Sequence, residues 1–448
     1  MIKRLLGLKP SRAEKAADRP DVILHIGSPK SGSSAIQRFC LNNRRQLLQR
    51  GYYYPEHNLD KNNVSGGHTR VANPLGKNSV EKARAVFARA LEDARAKHAC
   101  LLLSAEAFYF QHEALLALTN GLKVQVVCFI RNPVEYFLAN HNQGIKRHMG
   151  TRRLNELLPA LVSRPANHLT GKPLLAWAEG VGDENCVFLP YKAPVSGGEL
   201  IEAQFLRALG WADAEVEAAT RDLPGMTNRS YVKSALELKR LLNTVLDELP
   251  LRSVREVDWC LQGFSDRTLN ETGYSIADLP ESVAATLADK LLSQMEGVVE
   301  RFPQLQDIAQ LPPAEAPGQG ATSNLDLQAP LSALMAEVPN VIEQIREVAT
   351  DQRNNGRQDY AFCKLLDLLG IDFEEPKGLA GLALKQREVL SGDKLETADC
   401  LREMALLLER QNLLNDAQFA IDQALKHRPT GQGIQTIKAR IDSALNPE

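Results

Sequence analysis

The chain is 448 residues long, 44% apolar and 24% charged, with a formal net charge of only −2. That length exceeds one ordinary core and predicts two or three domains. The near-neutral balance excludes the general basic field that drives nonspecific nucleic-acid binding, so any anion site must be local. Seven cysteines lie scattered without CxxC pairs or histidine clusters, a pattern that gives neither a zinc site nor a disulfide framework and fits a reducing, cytoplasmic setting.

Residues 1–20 read as a mobile basic tail, because the few apolar positions before Pro10 are too short for a signal-peptide core or a membrane span. From Asp21 to Phe302 short apolar or β-branched runs alternate with longer helical patterns, which predicts an α/β domain with a largely parallel sheet over 21–305. The strand runs are VILHIG from Val22, GYYYP from Gly51, CLLLSAE from Cys100, VQVVCFIR from Val124 and NCVFLPYK from Asn185. Continuous apolar runs of this kind suit strands covered on both faces.

Residues 306–330 are rich in Pro, Ala, Gly and Gln and read as a linker. Beyond them, Leu331, Leu334, Met335 and Val338, then Val341, Ile342, Ile345 and Val348 around Pro339, carry helical spacing and predict a smaller all-helical C-terminal domain over 331–448. Residues 398–431 fit one tetratricopeptide-like helical pair of 34 residues, with Leu401, Met404, Ala405, Leu408, Ala417, Ile421 and Ala424 at its packing positions. An ordinary helical hairpin fits the same spacing. One such repeat cannot bury its own face, so it needs neighbouring helices, a second copy or another protein.

The densest chemistry lies in VILHIGSPKSGSSAIQRFC, which runs from a buried strand through a Gly and Ser turn into a helix. A strand, a glycine turn and a helix N-terminus make an anion site, because unsatisfied backbone N–H groups and the helix dipole face one point. Lys30 and the hydroxyls of Ser31, Ser33 and Ser34 add donors, and Gly32 lets the turn close. The spacing from Gly27 to Gly32 is that of the nucleoside-triphosphatase loop GxxxxGK[ST]. Here, however, Ser33 follows the second glycine and the lysine sits earlier, as Lys30.

In that arrangement HIGSPKSGSSAIQ resembles the phosphosulfate loop of the sulfotransferases that use 3′-phosphoadenosine 5′-phosphosulfate (PAPS), written hIGxPKTGTTxLQ, with serine for threonine at three positions. The resemblance implies a P-loop-type parallel sheet flanked by helices and PAPS as co-substrate without a metal. The 5′-phosphosulfate would rest on Lys30, Ser31, Gly32, Ser33 and Ser34. Arg131, at the end of VQVVCFIR and before Asn132 and Pro133, matches the family arginine for the 3′-phosphate, whereas the family serine eight residues on is Ala139 here. Losing that hydroxyl removes a bond to a charged group worth about 1.5–3 kcal/mol, unless Asn140 or His141 replaces it. LLLSAEAF with Glu106 resembles the SSE segment with Ala105 for its second serine, GGHTRVA with His68 resembles an acceptor loop of bacterial members, and TNRSYVKSALELKRLLN implies that Asn228, Arg229 and Ser230 lie near the nucleotide. A further stretch, from LAWAEGVGDENCVFLPYK to FLRALG, resembles the late helix, strand and helix of those members.

Sulfuryl transfer needs positioning, charge stabilisation and a base for the acceptor hydroxyl. Lys30 would meet the charge on the leaving oxygen, and Glu106 or His68, ahead of Glu56 or His57, would take the proton. What the resemblance implies for the acceptor is a hydroxyl or amine of a saccharide or glycolipid. Two other readings stay open: a degenerate, noncatalytic nucleotide-binding or assembly protein, for which Ala139 and Ala105 speak, and a P-loop kinase, against which Ser33 speaks. The helical C-terminal region would serve a protein partner or self-association, and nothing in the sequence calls for nucleic acid or a membrane span.

Overall fold

The computed structural model describes residues 19–445 apart from 60–64, 78, 155, 158–160, 162–170, 193–198, 224–229, 280, 312–324, 358, 374–381 and 393–394. The contacts divide the chain into two compact units. One comprises residues up to Phe137, Pro165–Thr227 and Ala288–Pro312, and the other comprises Leu138–Arg164, Asn228–Leu287 and Pro313–Glu448.

The first unit is built on five parallel strands, β1 (Val22–His25), β2 (Tyr52–Tyr53), β3 (Cys100–Ser104), β4 (Val124–Arg131) and β5 (Cys186–Tyr191), in the order β2-β3-β1-β4-β5. All the expected strand runs are there, and the all-parallel pairing follows from connections long enough to carry helices. Along the chain those helices include α1 (Ser33–Asn42), α2 (Thr69–Gly76) and α3 (Val80–Ala96), then α4 (Pro133–His148), which begins in this unit and passes into the other at Leu138, and α5 (Pro173–Val181) and α6 (Ile201–Ala208). In α3 the buried positions Ala83, Phe87, Ala90 and Ala94 repeat at helical spacing and present one apolar stripe to the sheet.

Strand alternation sends side chains to two faces, and both faces are covered. Val22, Leu24, Leu101, Leu103, Val126, Cys128 and Ile130 pack with α3 and with Leu174, Trp177 and Ala178 of α5. Ile23, Leu102, Val127 and Phe129 pack with Ile36, Phe39 and Cys40 of α1 and with Phe205 and Leu206 of α6. The strand order places β1 between β3 and β4. The chain leaves β1 toward β2 on one side and leaves β4 toward β5 on the other, so the carboxyl ends of β1 and β4 flank a switch point, where open α/β sheets bind ligands. The edge strands are short or interrupted: β2 has two residues, and β5 carries Pro190 opposite Ile130.

The second unit is helical. α7 (Lys233–Leu246) and α8 (Leu251–Arg267) share one apolar core with α9 (Gln328–Glu337), α10 (Pro339–Asn354) and α11 (Tyr360–Leu369), through residues such as Leu238, Leu241, Leu242, Val257, Leu331, Leu334, Ile342, Ile345 and Phe362. Pro339 starts α10 at its first position, where its missing N–H costs nothing. A smaller core joins α12 (Thr397–Arg410), α13 (Leu414–His427) and α14 (Gln432–Leu445) through Ala405, Ala417, Ile421, Ala424, Ile434, Ile437 and Ile441. The expected helical pair is therefore present as a hairpin packed on a third helix, with Met404 largely exposed rather than at a packing position.

The partition differs from the boundary expected at 305–331. Residues 233–267 belong by packing with the C-terminal helices, because their apolar faces find α9 to α11. The basic tail up to residue 18 and the heart of the expected linker, 312–324, lie outside the described residues. No helix among those described is long and apolar enough to cross a membrane.

Candidate functional site

The turn after β1 is held by two unusual backbone conformations. Gly32 caps α1 with φ of 81°, and Lys30 has φ of 63°, a left-handed conformation that costs a non-glycine residue roughly 1–2 kcal/mol. A Cβ on Gly32 would press on Tyr191 and Ile201, and one on Gly27 would sit 2.5 Å from the Ser33 hydroxyl. Glycine is required at both points because the turn is wound tightly against its neighbours. In its strained position the Lys30 N–H donates to Glu106 Oε1 at 3.3 Å.

The three hydroxyls differ in what they can still do. Ser31 Oγ donates to the Ser28 carbonyl at 2.5 Å, and Ser34 Oγ donates to the Ser65 carbonyl at 3.1 Å. The Ser33 hydroxyl is buried and has no partner. At the first positions of α1, the N–H groups of Ser33 and Ser34 have no acceptor within the helix. Two further unpartnered groups lie close by. The amide of Gln37, one turn beyond Ser33, is unsatisfied at both ends with the residue 1% exposed. His25 Nε2, at the end of β1, is also buried and unsatisfied, while its Nδ1 meets Ser104 Oγ at 2.7 Å. Leaving a buried polar atom unpaired costs about 1–3 kcal/mol, so such a cluster beneath one turn marks a place built for polar company.

His68 is not placed as expected of a base. It is buried, its Nδ1 accepts from the Ser104 N–H at 2.9 Å, and its Nε2 lies 3.1 Å from the Pro55 carbonyl, to which it donates. Nδ1 also lies 3.1 Å from the Ser104 carbonyl, and desolvation, helped by His57, pulls the ring's pKa down to about 4. Gly67 supports this arrangement: at φ of 69°, a Cβ would collide with the Ser104 carbonyl and crowd the Gln37 amide. His57 meets the Tyr54 hydroxyl at 3.0 Å, and Glu56 pairs with Arg44 at 3.0 Å. Of the base candidates, Glu106 alone adjoins the turn. Its pKa is pushed up by crowding of the carboxyl and pulled back by Lys30, while the residue itself is exposed.

Arg131 ends β4, opposite Tyr191 of β5. Its guanidinium lies over the Tyr191 ring, 5.6 Å from the centroid, and its Nε donates to Glu135 Oε2 at 3.1 Å. The RNP segment explains the geometry. Asn132 caps α4, its Oδ1 accepting from the Val134 N–H at 2.9 Å, Pro133 starts the helix, and Glu135 falls in the favourable first turn. Asn132 Nδ2 also donates to the carbonyls of Ile308 and Gln310 at 3.1 and 2.6 Å.

The first unit thus gathers Lys30, Ser31, Gly32, Ser33, Ser34 and Glu106 around one turn, and it sets Arg131 beside Tyr191, which also touches the edge of that turn near Gly32. Arg229 lies outside the described residues, as does Asn228. Ala139 lies within α4, and His141, offered as its substitute, turns Nε2 toward the Arg152 carbonyl at 3.2 Å. The composition gave no hint of Gln37, His25, Glu135 or Tyr191. Gln37 and Glu135 carried a signal in their spacing, four residues from Ser33 and Arg131 respectively, whereas His25 and Tyr191 become visible only when β1, β4 and β5 are laid side by side. No group of three or more His, Cys, Asp or Glu suited to a metal ion occurs among the described residues. Compared with models of protein families, with curated proteins and with solved structures, the chain matches none.

Proposed function

We propose that the chain is a sulfotransferase that takes the sulfuryl group of PAPS to a hydroxyl or amine of a saccharide or glycolipid acceptor. The observation that carries the reading is the turn after β1. A left-handed Lys30, a helix N-terminus and the buried, unpartnered Ser33 hydroxyl converge there, and an anion of the phosphosulfate kind suits the helix N-terminus and gives that hydroxyl a partner.

In this reading the N–H groups of Ser33 and Ser34 and the Ser33 hydroxyl hold the 5′-phosphate, and Arg131 receives the 3′-phosphate. As the bond between sulfur and the phosphate oxygen breaks, Lys30 meets the negative charge left on that oxygen. The acceptor oxygen forms the new bond to sulfur, and Glu106, exposed beside the turn and in reach of the Lys30 N–H, takes its proton. His68 is better read as a support for the loop, since both ring nitrogens serve the backbone.

Calorimetry with adenosine 3′,5′-bisphosphate, set against ATP with magnesium, tests the proposal. Heat and a thermal shift with the bisphosphate are expected. Binding of ATP alone would end the sulfotransferase reading in favour of a kinase. A second reading, a nucleotide-binding protein without transfer, is favoured by Ala105 and Ala139, which stand where the family pattern has serines. Tight bisphosphate binding with no sulfate transfer to any saccharide acceptor would select it.

A further inference from the structure

Arg131 already has an occupant. Its Nε donates to Glu135 Oε2 at 3.1 Å, and both side chains are partly sheltered, 21% and 33% exposed. Its guanidinium lies against Tyr191, whose phenol is influenced by Arg131 and by two carboxylates, Glu135 and Glu202. Glu202 stands in the first turn of α6, next to Ile201, which closes on Gly32. The Arg131 guanidinium is therefore paired with Glu135, and a further carboxylate, Glu202, acts on the Tyr191 ring it lies against. A phosphate brought to this point would meet a guanidinium whose charge is already matched, and a carboxylate of its own sign.

We infer that Glu135 is a latch on Arg131, a positioning residue that the 3′-phosphate of the donor must displace; this rests on the sulfotransferase reading above. The chain provides a second resting place for the released carboxylate. Glu135 lies in the first turn of α4, where the positive end of the helix favours an anion even though Asn132 already caps the Val134 and Glu135 N–H groups. The carboxylate can thus exchange Arg131 for the helix terminus without being stranded, and Arg131, anchored at the end of β4, is freed while still braced by the Tyr191 ring. The latch keeps Arg131 aligned in the empty protein.

The test compares Glu135→Gln with the wild-type chain by calorimetry, using adenosine 3′,5′-bisphosphate and, as the ligand without a 3′-phosphate, adenosine 5′-monophosphate. Removing the competing charge should tighten bisphosphate binding about fivefold, the scale of a partly exposed ion pair, and leave monophosphate binding within twofold. Raised salt should narrow the difference between the two proteins. Unchanged or weaker bisphosphate binding in the variant, or equal tightening for both ligands, overturns the latch while leaving the sulfotransferase reading standing. Absence of bisphosphate binding in both proteins overturns the latch and that reading together. Should Glu135→Gln melt well below the wild type, Glu135→Asp replaces it: the shorter side chain keeps its charge in the first turn but draws back from Arg131, and the same selective tightening is expected.

Discussion

The two units differ in the kind of polar group they bury. In the helical unit buried charges lie in ion pairs, Lys239 with Asp258 at 3.1 Å, Arg240 with Glu237 at 2.6 Å and Lys233 with Asp278 at 2.6 Å, although Lys239 Nζ and Asp258 Oδ1 complete no hydrogen bond. In the α/β unit, the buried polar atoms under the turn after β1 are neutral and unmatched, namely Ser33 Oγ, the Gln37 amide and His25 Nε2. Matched charges hold helices in one arrangement, since removing either partner strands the other. Unmatched hydroxyls and amides stabilise nothing on their own, and at a switch point in the sheet they mark a candidate site.

The largest effect expected from this contrast lies in the helical unit. Cutting the chain near residue 318 removes α9, α10 and α11 from the core they share with α7 and α8, leaving Leu238, Leu241, Leu242 and Val257 without cover. The 1–318 fragment should bind a hydrophobic dye strongly and lose the cooperative melting of the helical unit, although a linker-like composition around the cut suggests a harmless site. A fragment that melts as sharply as the full chain and binds no dye would show that α7 and α8 hold together alone.

A middle-sized effect belongs to the α/β unit and appears with acid. His25 and His68 are buried neutral, their pKa values pulled by desolvation to about 3 and about 4, against about 6.5 in an unfolded chain. The unfolded state therefore binds more protons below pH 6.5. The stability these residues contribute is whole above that point and is lost as pH falls from 6.5 toward 4, by up to about 1.4 kcal/mol per pH unit for each. Nitrogen NMR of the His68 ring checks the premise directly: at pH 5 it should still show a neutral ring, and an imidazolium signal in the folded protein would refute it.

The smallest effect on stability should come from Ser33→Ala. Deleting an unpartnered hydroxyl removes no bond, so melting should move by no more than a degree or two, whereas bisphosphate binding should weaken about tenfold, the worth of one hydrogen bond to a charged group. A large loss of stability with unaltered binding would reverse the assignment of Ser33 from site to scaffold.

The strands were legible because each is a continuous apolar run covered on both faces, as with Val22–His25 and Val124–Arg131. The turn was legible because Gly32, Lys30 and the serines are local in sequence. Spacing alone did not show how the serines divide their work, since the bonds of Ser31 to Ser28 and of Ser34 to Ser65 depend on where the chain returns. His68 looked like a reactive histidine in a glycine-rich loop, and its two backbone bonds come from Pro55 and Ser104, residues distant in sequence. The union of α7 and α8 with α9 to α11 escaped notice for a similar reason: a helical stripe shows that a helix has an apolar face and leaves open which helix will cover it.

The borders of the sheet carry a consequence for how this protein meets others. A long, regular outer strand offers a row of unpaired backbone groups on which a foreign strand can add, the route to domain exchange and fibrillar aggregation. Here one border is a strand of two residues, Tyr52–Tyr53, and the other contains Pro190, which brings no N–H to a ladder. Neither is a template that a nascent or misfolded copy could extend. The α/β unit can keep a strained, partly unsatisfied loop at its centre without also offering its margins to polymerisation.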